Sequence, residues 1–584
     1  MLGRKTSLKK NKNAPNDFII GDENSPNLIK IKNNMKTDFI FVSGGVMSGL
    51  GKGLCAASLG LLLKRRGYSV SSLKCENYLN IDSGTINPIE HGDPFLTDDG
   101  LEADMDLGTY ERILNQDITK DSYVTKGMIF NEIIQKERRM YYEGEDVEDI
   151  PHVVNEILDR FYNAAKDSDF CIIEIGGTAG EYQNVLYYEA SRILRTLYPN
   201  SVANVHVSYI PVPQHLGEPK TKPTQMSVRT LMSMGIHPDF LVLRSPVELD
   251  KRRRYLLGMK TSINGNHVFM AQDLDNIYEL PLRFLDQEFD KRVLEYFGKP
   301  IRKIKINDWK SLMKKINKSR KKKTTIAIVG KYFTKNDGDY ELVDSYHALI
   351  EAIKHASWNV DIDVNLKFIN TNNYDENFEK QFKDIDGIIV PIGWGKRGTK
   401  GKLAAIKYAR ENKVPYLGLC YGMQLACVEY AQNVLKLEDA NSEEIKATAK
   451  NKIIHSIPFN EKYQVIKGEG VSMRLGAYEC KLKPKTLAFK IYDKHNGFID
   501  KKNRLISERH RHRYEFNNEY REIFEKSGFI FSGTSPDDFF VEYIELPKDK
   551  HPFFIATQAH PEYKSRPIKP HPVFIEFLKA SYKS

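Results

Sequence analysis

The stretch from Phe39 to Gly53, FIFVSGGVMSGLGKG, constrains this chain more than any other. A β-branched and aromatic run, Phe39 to Val42, breaks into a glycine-rich turn, and beyond Lys52 an Ala/Leu-rich pattern predicts a helix over about Leu54 to Lys64. Glycine N–H groups can approach phosphate oxygens, the helix N-terminus adds a favourable field, and Lys52 supplies a full positive charge. A turn that merely joins a strand to a helix would also use glycines, but the order strand, loop, lysine, helix is the one nucleotide binding requires. The loop is irregular. A standard P-loop places four residues between its first Gly and a Gly-Lys pair followed by Ser or Thr, whereas here Gly45 lies one residue too far away and Gly53 follows Lys52. A magnesium ion would therefore have to be held elsewhere.

At 584 residues the chain is several times a typical domain, so two or more cores are expected. Alternating strand and helix signals in both halves predict an α/β protein with two open, mostly parallel-sheet domains. The 87 basic and 77 acidic residues give +10, which suits polyphosphate substrates and equally suits a solvated, lysine-rich surface. No motif points to nucleic acid, and no apolar stretch reaches membrane-spanning length. Six cysteines without metal spacing predict a reducing, cytoplasmic setting. Residues 1–36 read as a flexible polar extension and 301–323, ending in KKINKSRKKKTT, as an interdomain linker with a short helix.

In the first half a second strand is expected over Tyr68 to Leu73, followed by a loop segment dense in Asp, Glu, Gly and Asn. A strand over Phe170 to Ile175 delivers Glu174 just before Gly176 and Gly177, and Asp106 precedes Gly108. Carboxylates at strand ends beside a phosphate loop are well placed for Mg2+, which prefers oxygen ligands, although solvated carboxylates would look similar. After a strand over Val202 to Val212, Lys220 and Lys222 flank Thr221 between Pro219 and Pro223, with Gln225 beyond. In an extended loop, alternate residues face one way, so both ammonium groups could reach one triphosphate.

GGVMSGLGKG, GTINPIEHGD, DMDLGTYER, KERR, EIGGTAG and KTKPTQ, in this order, resemble the amidoligase domain of the CTP synthase family over residues 37–300. The resemblance implies ATP and phosphate binding by Gly49, Leu50, Gly51, Lys52, Gly53 and Lys74, and UTP or CTP binding by Ser48, Lys220, Thr221, Lys222 and Gln225. It also implies a magnesium site at Asp106 and Glu174.

A fresh strand, Thr325 to Val329, opens the second half, residues 324–584. Its central stretch, VPYLGLCYGMQLACVEYA, runs an apolar strand into Gly418-Leu419-Cys420-Tyr421-Gly422 and then a helix. Small residues around Cys420 allow the sharp turn that exposes a nucleophile at a helix N-terminus; a lone buried cysteine is the plainer alternative. Near the end, FFIATQAHPEYKS supplies His560 as a base for Cys420 and Glu562 to orient the imidazole. GLCYGMQ with QAHPE resembles the class I glutamine amidotransferase domain, whose triad carries over as Cys420, His560 and Glu562. The same resemblance implies glutamine binding by Gly393, Tyr421, Gly422, Gln424, Glu444 and Arg513.

Together the halves imply a glutamine-hydrolysing ligase that uses ATP as co-substrate to aminate UTP through a 4-phosphorylated uracil, with GTP as an allosteric activator. The family also implies a homotetramer, with filament formation open. Several positions depart from the family pattern. Lys74-Cys75-Glu76-Asn77-Tyr78 stands for its Lys-Asp-Pro-Tyr motif, Gly180-Glu181-Tyr182-Gln183 for Gly-Asp-Ile-Glu at the ribose, KERRMYYEG for KERRGDYLG, and Pro391-Ile392-Gly393-Trp394-Gly395 for the Pro-Gly-Gly-Phe-Gly oxyanion loop. Two further readings thus stand beside the first: an amidoligase acting on a different uridine nucleotide, and a non-enzymatic regulatory paralogue.

Overall fold

The computed structural model describes residues 27–32, 35–88, 92–333, 343–457, 465–467 and 471–582. Most of the expected extension, and Ile89, Glu90 and His91 of the GTINPIEHGD motif, lie outside them. Within the extension, Leu28 and Lys30 are tied to the helix Val154–Ala164: the Asn155 amide bridges their backbones, and Lys30 pairs with Asp159.

The first half is built on a seven-stranded sheet whose strand pairs are all parallel. Edge to edge, the strands are Tyr123–Thr125, Val70–Glu76, Phe170–Ile175, Asp38–Gly45, Val202–Tyr209, Phe240–Ser245 and Val268–Gln272. Asp38–Gly45 is buried at every position, as expected for a strand covered on both faces. The helix that follows it, Lys52–Arg65, buries every residue from Cys55 to Leu63 because it is enclosed by the sheet and by the helices Leu107–Leu114 and Leu280–Asp286.

The second half carries a ten-stranded mixed sheet. Five parallel strands, Ile362–Asn370, Lys322–Gly330, Gly387–Val390, Tyr416–Leu419 and Phe554–Thr557, continue into antiparallel Val541–Glu545, Ile530–Thr534 and Val471–Leu482, so only this half departs from a mostly parallel pattern.

The expected linker helix is present at Asn307–Ile316, but it is not a spacer. Trp309 is fully buried and donates its indole N–H to the Tyr278 carbonyl at 2.9 Å, while the Tyr278 hydroxyl donates to Glu351 of the second half at 2.7 Å. A second seam joins the halves through ion pairs, the buried ones Arg509–Glu111, Arg511–Glu102 and Arg511–Asp93, with Arg509–Asp98, Arg566–Glu111 and Arg566–Asp117 nearer the surface.

Candidate active sites

The nucleotide loop leaves the carboxyl end of the central strand, where Val42 lies opposite Glu174 on one neighbour and Val205 on the other. Gly49 and Gly51 sit at φ 71° and 73°, where a Cβ would be strained. Gly51 caps the helix and Lys52 is its first residue, two positions earlier than expected. Its ammonium donates to the Gly177 carbonyl at 2.8 Å. Ser48 and Gly49 are exposed, whereas the Leu50 side chain belongs to the core, leaving its backbone to face a ligand.

Lys74, at the end of its strand, lies 3.1 Å from Glu76, 3.1 Å from Asp104 and 3.3 Å from Asp106. Burial opposes its charge, but Asp104, Glu76, Asp106 and Glu174 together hold its pKa well above the usual lysine range. Burial pushes Glu76 up to about 7, with Lys74 opposing and Asp104 and Glu174 adding. Lys74, foremost, lowers Asp106. Glu174 accepts the Tyr110 hydroxyl at 2.8 Å, and a Cβ on Gly53 would stand 3.0 Å from its Oε2, so that glycine lets the helix close on the carboxylate.

Four carboxylates around one lysine leave an excess of negative oxygen donors, a chemistry that fits Mg2+. Among the described residues no group of three or more His, Cys, Asp or Glu is gathered to hold a metal by itself.

The KTKPTQ segment is not extended as expected. Thr221 has helical backbone angles (φ −89°, ψ −8°) and Lys222 begins the helix Lys222–Ser233, because Pro223 is well tolerated in a first helical turn, where no N–H is needed. Lys220 and Lys222 therefore do not share a face by strand alternation. Lys220 pairs with Glu218, Lys222 is exposed, and Gln225 donates to Thr221 at 3.1 Å. The helix closes on the nucleotide-loop strand through His206, which bonds Ser43 and Ser227 at 2.8 Å each. In the segment 180–183, where the sequence departs from the family pattern, Glu181 accepts from Asn77 at 3.2 Å and Gln183 accepts from Asn77 at 3.3 Å.

In the second half, adjacent parallel strands end at Leu419 and Thr557, in register, which is why Cys420 and His560 meet. Cys420 has φ 50° and ψ −100°, a strained turn held by its N–H to the Thr557 carbonyl at 2.7 Å, and it opens the helix Tyr421–Asn433. A Cβ on Gly422 would fall 2.1 Å from the Val390 carbonyl oxygen, so only glycine lets this helix seat. His560 Nδ1 lies 2.8 Å from Glu562 Oε1. Burial lowers the His560 pKa, but Glu562 and Cys420 outweigh it and lift it to about 10.

Around the triad, Gln424 donates to the Tyr514 carbonyl at 2.8 Å, and Tyr421 donates to the Gly395 carbonyl at 2.9 Å. Glu444 accepts the Gly395 N–H at 2.7 Å; burial raises its pKa, opposed by Lys331 and Arg513, which stand near it. Gly393 is hemmed in by Lys331, Lys402 and Tyr421.

Sequence reasoning passed over four residues here. Gln558 donates to Cys420 Sγ at 3.4 Å and sits inside the QAHPE stretch, a signal in plain view. Lys331 and the fully buried Lys402 hold carbonyls of the oxyanion loop, and nothing in their local pattern sets them apart from surface lysines. Arg511, in ERHRHRYE, accepts the Cys420 thiol on its backbone carbonyl at 3.7 Å.

Fold and sites define a two-headed α/β protein: a nucleotide-loop half joined to a half with a cysteine nucleophile elbow and a Cys-His-Glu triad. Residues 38–298 match the family model described as CTP synthase N-terminus, and residues 341–580 match glutamine amidotransferase class-I. The chain is 43% identical over 562 residues to CTP synthase of Desulfovibrio desulfuricans, covering 94% of this chain and 99% of that protein. It is 45% identical over 552 residues to CTP synthase of Carboxydothermus hydrogenoformans, with the same coverages, 94% and 99%. The solved glutaminase domain of Trypanosoma brucei CTPS with bound acivicin aligns at 31% identity over 44% of this chain and 93% of that one, TM-score 0.38. The chain belongs to the CTP synthase family of glutamine-hydrolysing C–N ligases.

Proposed function

We propose that this enzyme converts UTP to CTP, using ATP to activate the uracil 4-oxygen and ammonia released from glutamine at Cys420. The observation that carries this reading is the pairing, in one chain, of the strained Cys420 elbow with its His560–Glu562 partner at 2.8 Å and the Lys52 loop beside an oxygen-rich carboxylate cluster.

One proton shared by the pair rests on His560 while the Cys420 sulfur attacks the glutamine carboxamide and is given to the departing ammonia; water then cleaves the thioester, releasing glutamate and the Cys420 sulfur. Glu562 orients the imidazole and offsets its positive charge. Gln424 and the Glu444–Arg513 neighbourhood hold the glutamine amino acid end: a carboxylate for the ammonium, a guanidinium for the carboxylate. In the other half, Lys52, the 48–53 backbone and Lys74 offset charge on the transferred phosphoryl group, and UTP is assigned to the Lys220–Thr221–Lys222–Gln225 segment, where Lys222 is exposed and Lys220 would exchange Glu218 for a phosphate. Asp106 and Glu174 would hold Mg2+, which supplies charge neutralisation at the phosphates when bound. The reading includes GTP as activator, a homotetramer, and a reducing cytoplasmic setting supported by six buried free cysteines.

Mass spectrometry of products after incubation with UTP, Mg-ATP and either glutamine plus GTP or ammonium chloride tests this. CTP from both nitrogen sources is expected. A second reading, amination of another uridine nucleotide, is favoured by the Asn77–Gln183 bond in the ribose segment. It wins if ATP is consumed with such a nucleotide and no CTP forms from UTP.

A further inference from the structure

Asp93 belongs to the amidoligase half, yet its carboxylate grips both walls of the glutaminase site. One oxygen accepts the Tyr563 hydroxyl at 2.6 Å, and the Tyr563 ring stacks on the His560 imidazole, centroids 5.2 Å apart and planes 20° apart. The other lies 3.4 Å from Arg511, whose backbone carbonyl accepts the Cys420 thiol and whose guanidinium lies 5.4 Å over Trp394 in the oxyanion loop. Base, nucleophile and oxyanion loop are thus each one residue removed from a single carboxylate of the opposite half. Tyr563 and Arg511 are almost wholly buried, so neither can exchange this partner for water.

The same arginine is anchored from further along the amidoligase half. Its Nε donates to Glu102, and one terminal nitrogen lies 3.4 Å from the Gly84 carbonyl. Glu102 sits two residues before Asp104, which pairs with Lys74 at 3.1 Å.

We propose that Asp93 is a positioning residue through which the amidoligase half holds the geometry of the Cys420–His560 pair. This rests on the reading that Cys420 hydrolyses glutamine. Because the strut holds the walls of the site and touches no glutamine ligand assigned above, its loss should act on turnover more than on binding.

The test uses the full-length enzyme, Asp93→Leu, Tyr563→Phe and the double variant. Glutamate release, with and without UTP and ATP, and CTP formation from ammonium chloride are measured for each. Asp93→Leu is expected to lower kcat for glutamine hydrolysis about tenfold or more with KM within about twofold, both with and without UTP and ATP. Ammonia-dependent CTP formation should stay within about twofold of wild type, which also reports an intact fold. Tyr563→Phe should give part of the same defect, and the double variant should be no worse than Asp93→Leu, since both cut one link. Equal losses with ammonia and glutamine, or wild-type hydrolysis in Asp93→Leu, would overturn the positioning role alone. A wild-type enzyme that releases no glutamate would overturn the glutaminase reading and the strut with it.

Discussion

The ammonium of Lys402 donates to the Ile392 carbonyl at 3.1 Å and to the Pro391 carbonyl at 2.7 Å, inside a fully buried site. Burial, with Lys331 adding repulsion, holds its pKa well below the usual lysine range, against a smaller opposing pull from Cys420. Charged or neutral, its nitrogen keeps hydrogens to donate, so the 391–395 loop is fastened from behind. Removing such a donor leaves buried carbonyls unpaired, at a cost of about 1–3 kcal/mol each. Lys402→Met is expected to lower glutamine-dependent CTP formation about tenfold or more and to spare ammonia-dependent formation. Parallel initial rates with the two nitrogen sources check this; equal loss in both would refute a role confined to the loop.

Ile392 itself stands where the family loop has glycine. Its side chain is buried in the apolar cluster with Ile389 and Leu417, and its φ is not in the left-handed region. If glutamine binding turns this peptide to present an oxyanion donor, Ile392 resists a move that glycine would allow. Ile392→Gly should therefore raise the glutaminase rate, while lost packing lowers Tm by several degrees. An unchanged or lower hydrolysis rate in a folded variant would show that the loop is already competent.

Both candidate sites can be located in the sequence to the extent that their residues are local. Cys420 and Lys52 each follow an apolar strand and open a helix, so strand, turn and helix signals converge on them within a dozen residues. Glu174 was readable for the same reason, since the strand Phe170–Ile175 ends where its pattern says. What stayed hidden is carried by distant pairs. Nothing near Asp93 announces Arg511, nothing near Lys402 announces the carbonyls it serves, and Trp309 reads as part of a basic tether until its indole is seen inside the core. The KTKPTQ misreading has a different origin: two prolines suggested an extended loop, but a proline in the first turn is equally at home in a helix.

The His560–Glu562 pair makes a pH prediction. Burial disfavours imidazolium, yet Glu562 and Cys420 raise the His560 pKa to about 10, above its value of about 6.5 in an unfolded chain. The folded state then binds more protons than the unfolded state between these values. Its contribution to stability is full below about pH 6.5 and is lost as pH climbs through about 10. Glu562→Gln removes the foremost upward influence. The Tm gap between wild type and this variant is expected to be widest near pH 6 and to shrink toward pH 10, with glutamine hydrolysis reduced about a hundredfold or more. A Tm gap independent of pH would refute the assignment.

Asp106 and Glu174 separate the two chemistries most cleanly. Asp106 is held ionised by Lys74, and Glu174 accepts the Tyr110 hydroxyl at 2.8 Å, so both present oxygens toward the Lys74 cluster. Glu174→Gln keeps the shape but removes one charge from the proposed magnesium pair, and Asp106→Asn does the same on the other side. Phosphoryl transfer then lacks charge neutralisation worth several kcal/mol, equivalent to about a thousandfold or more in rate. CTP formation should fall by that amount with glutamine and with ammonia alike, and the residual rate should require more magnesium. Glutamate release measured without nucleotides should stay within about twofold of wild type, because Cys420, His560 and Glu562 lie in the other half. A loss limited to the glutamine-dependent reaction would place these carboxylates in communication between the halves and remove them from the phosphate chemistry.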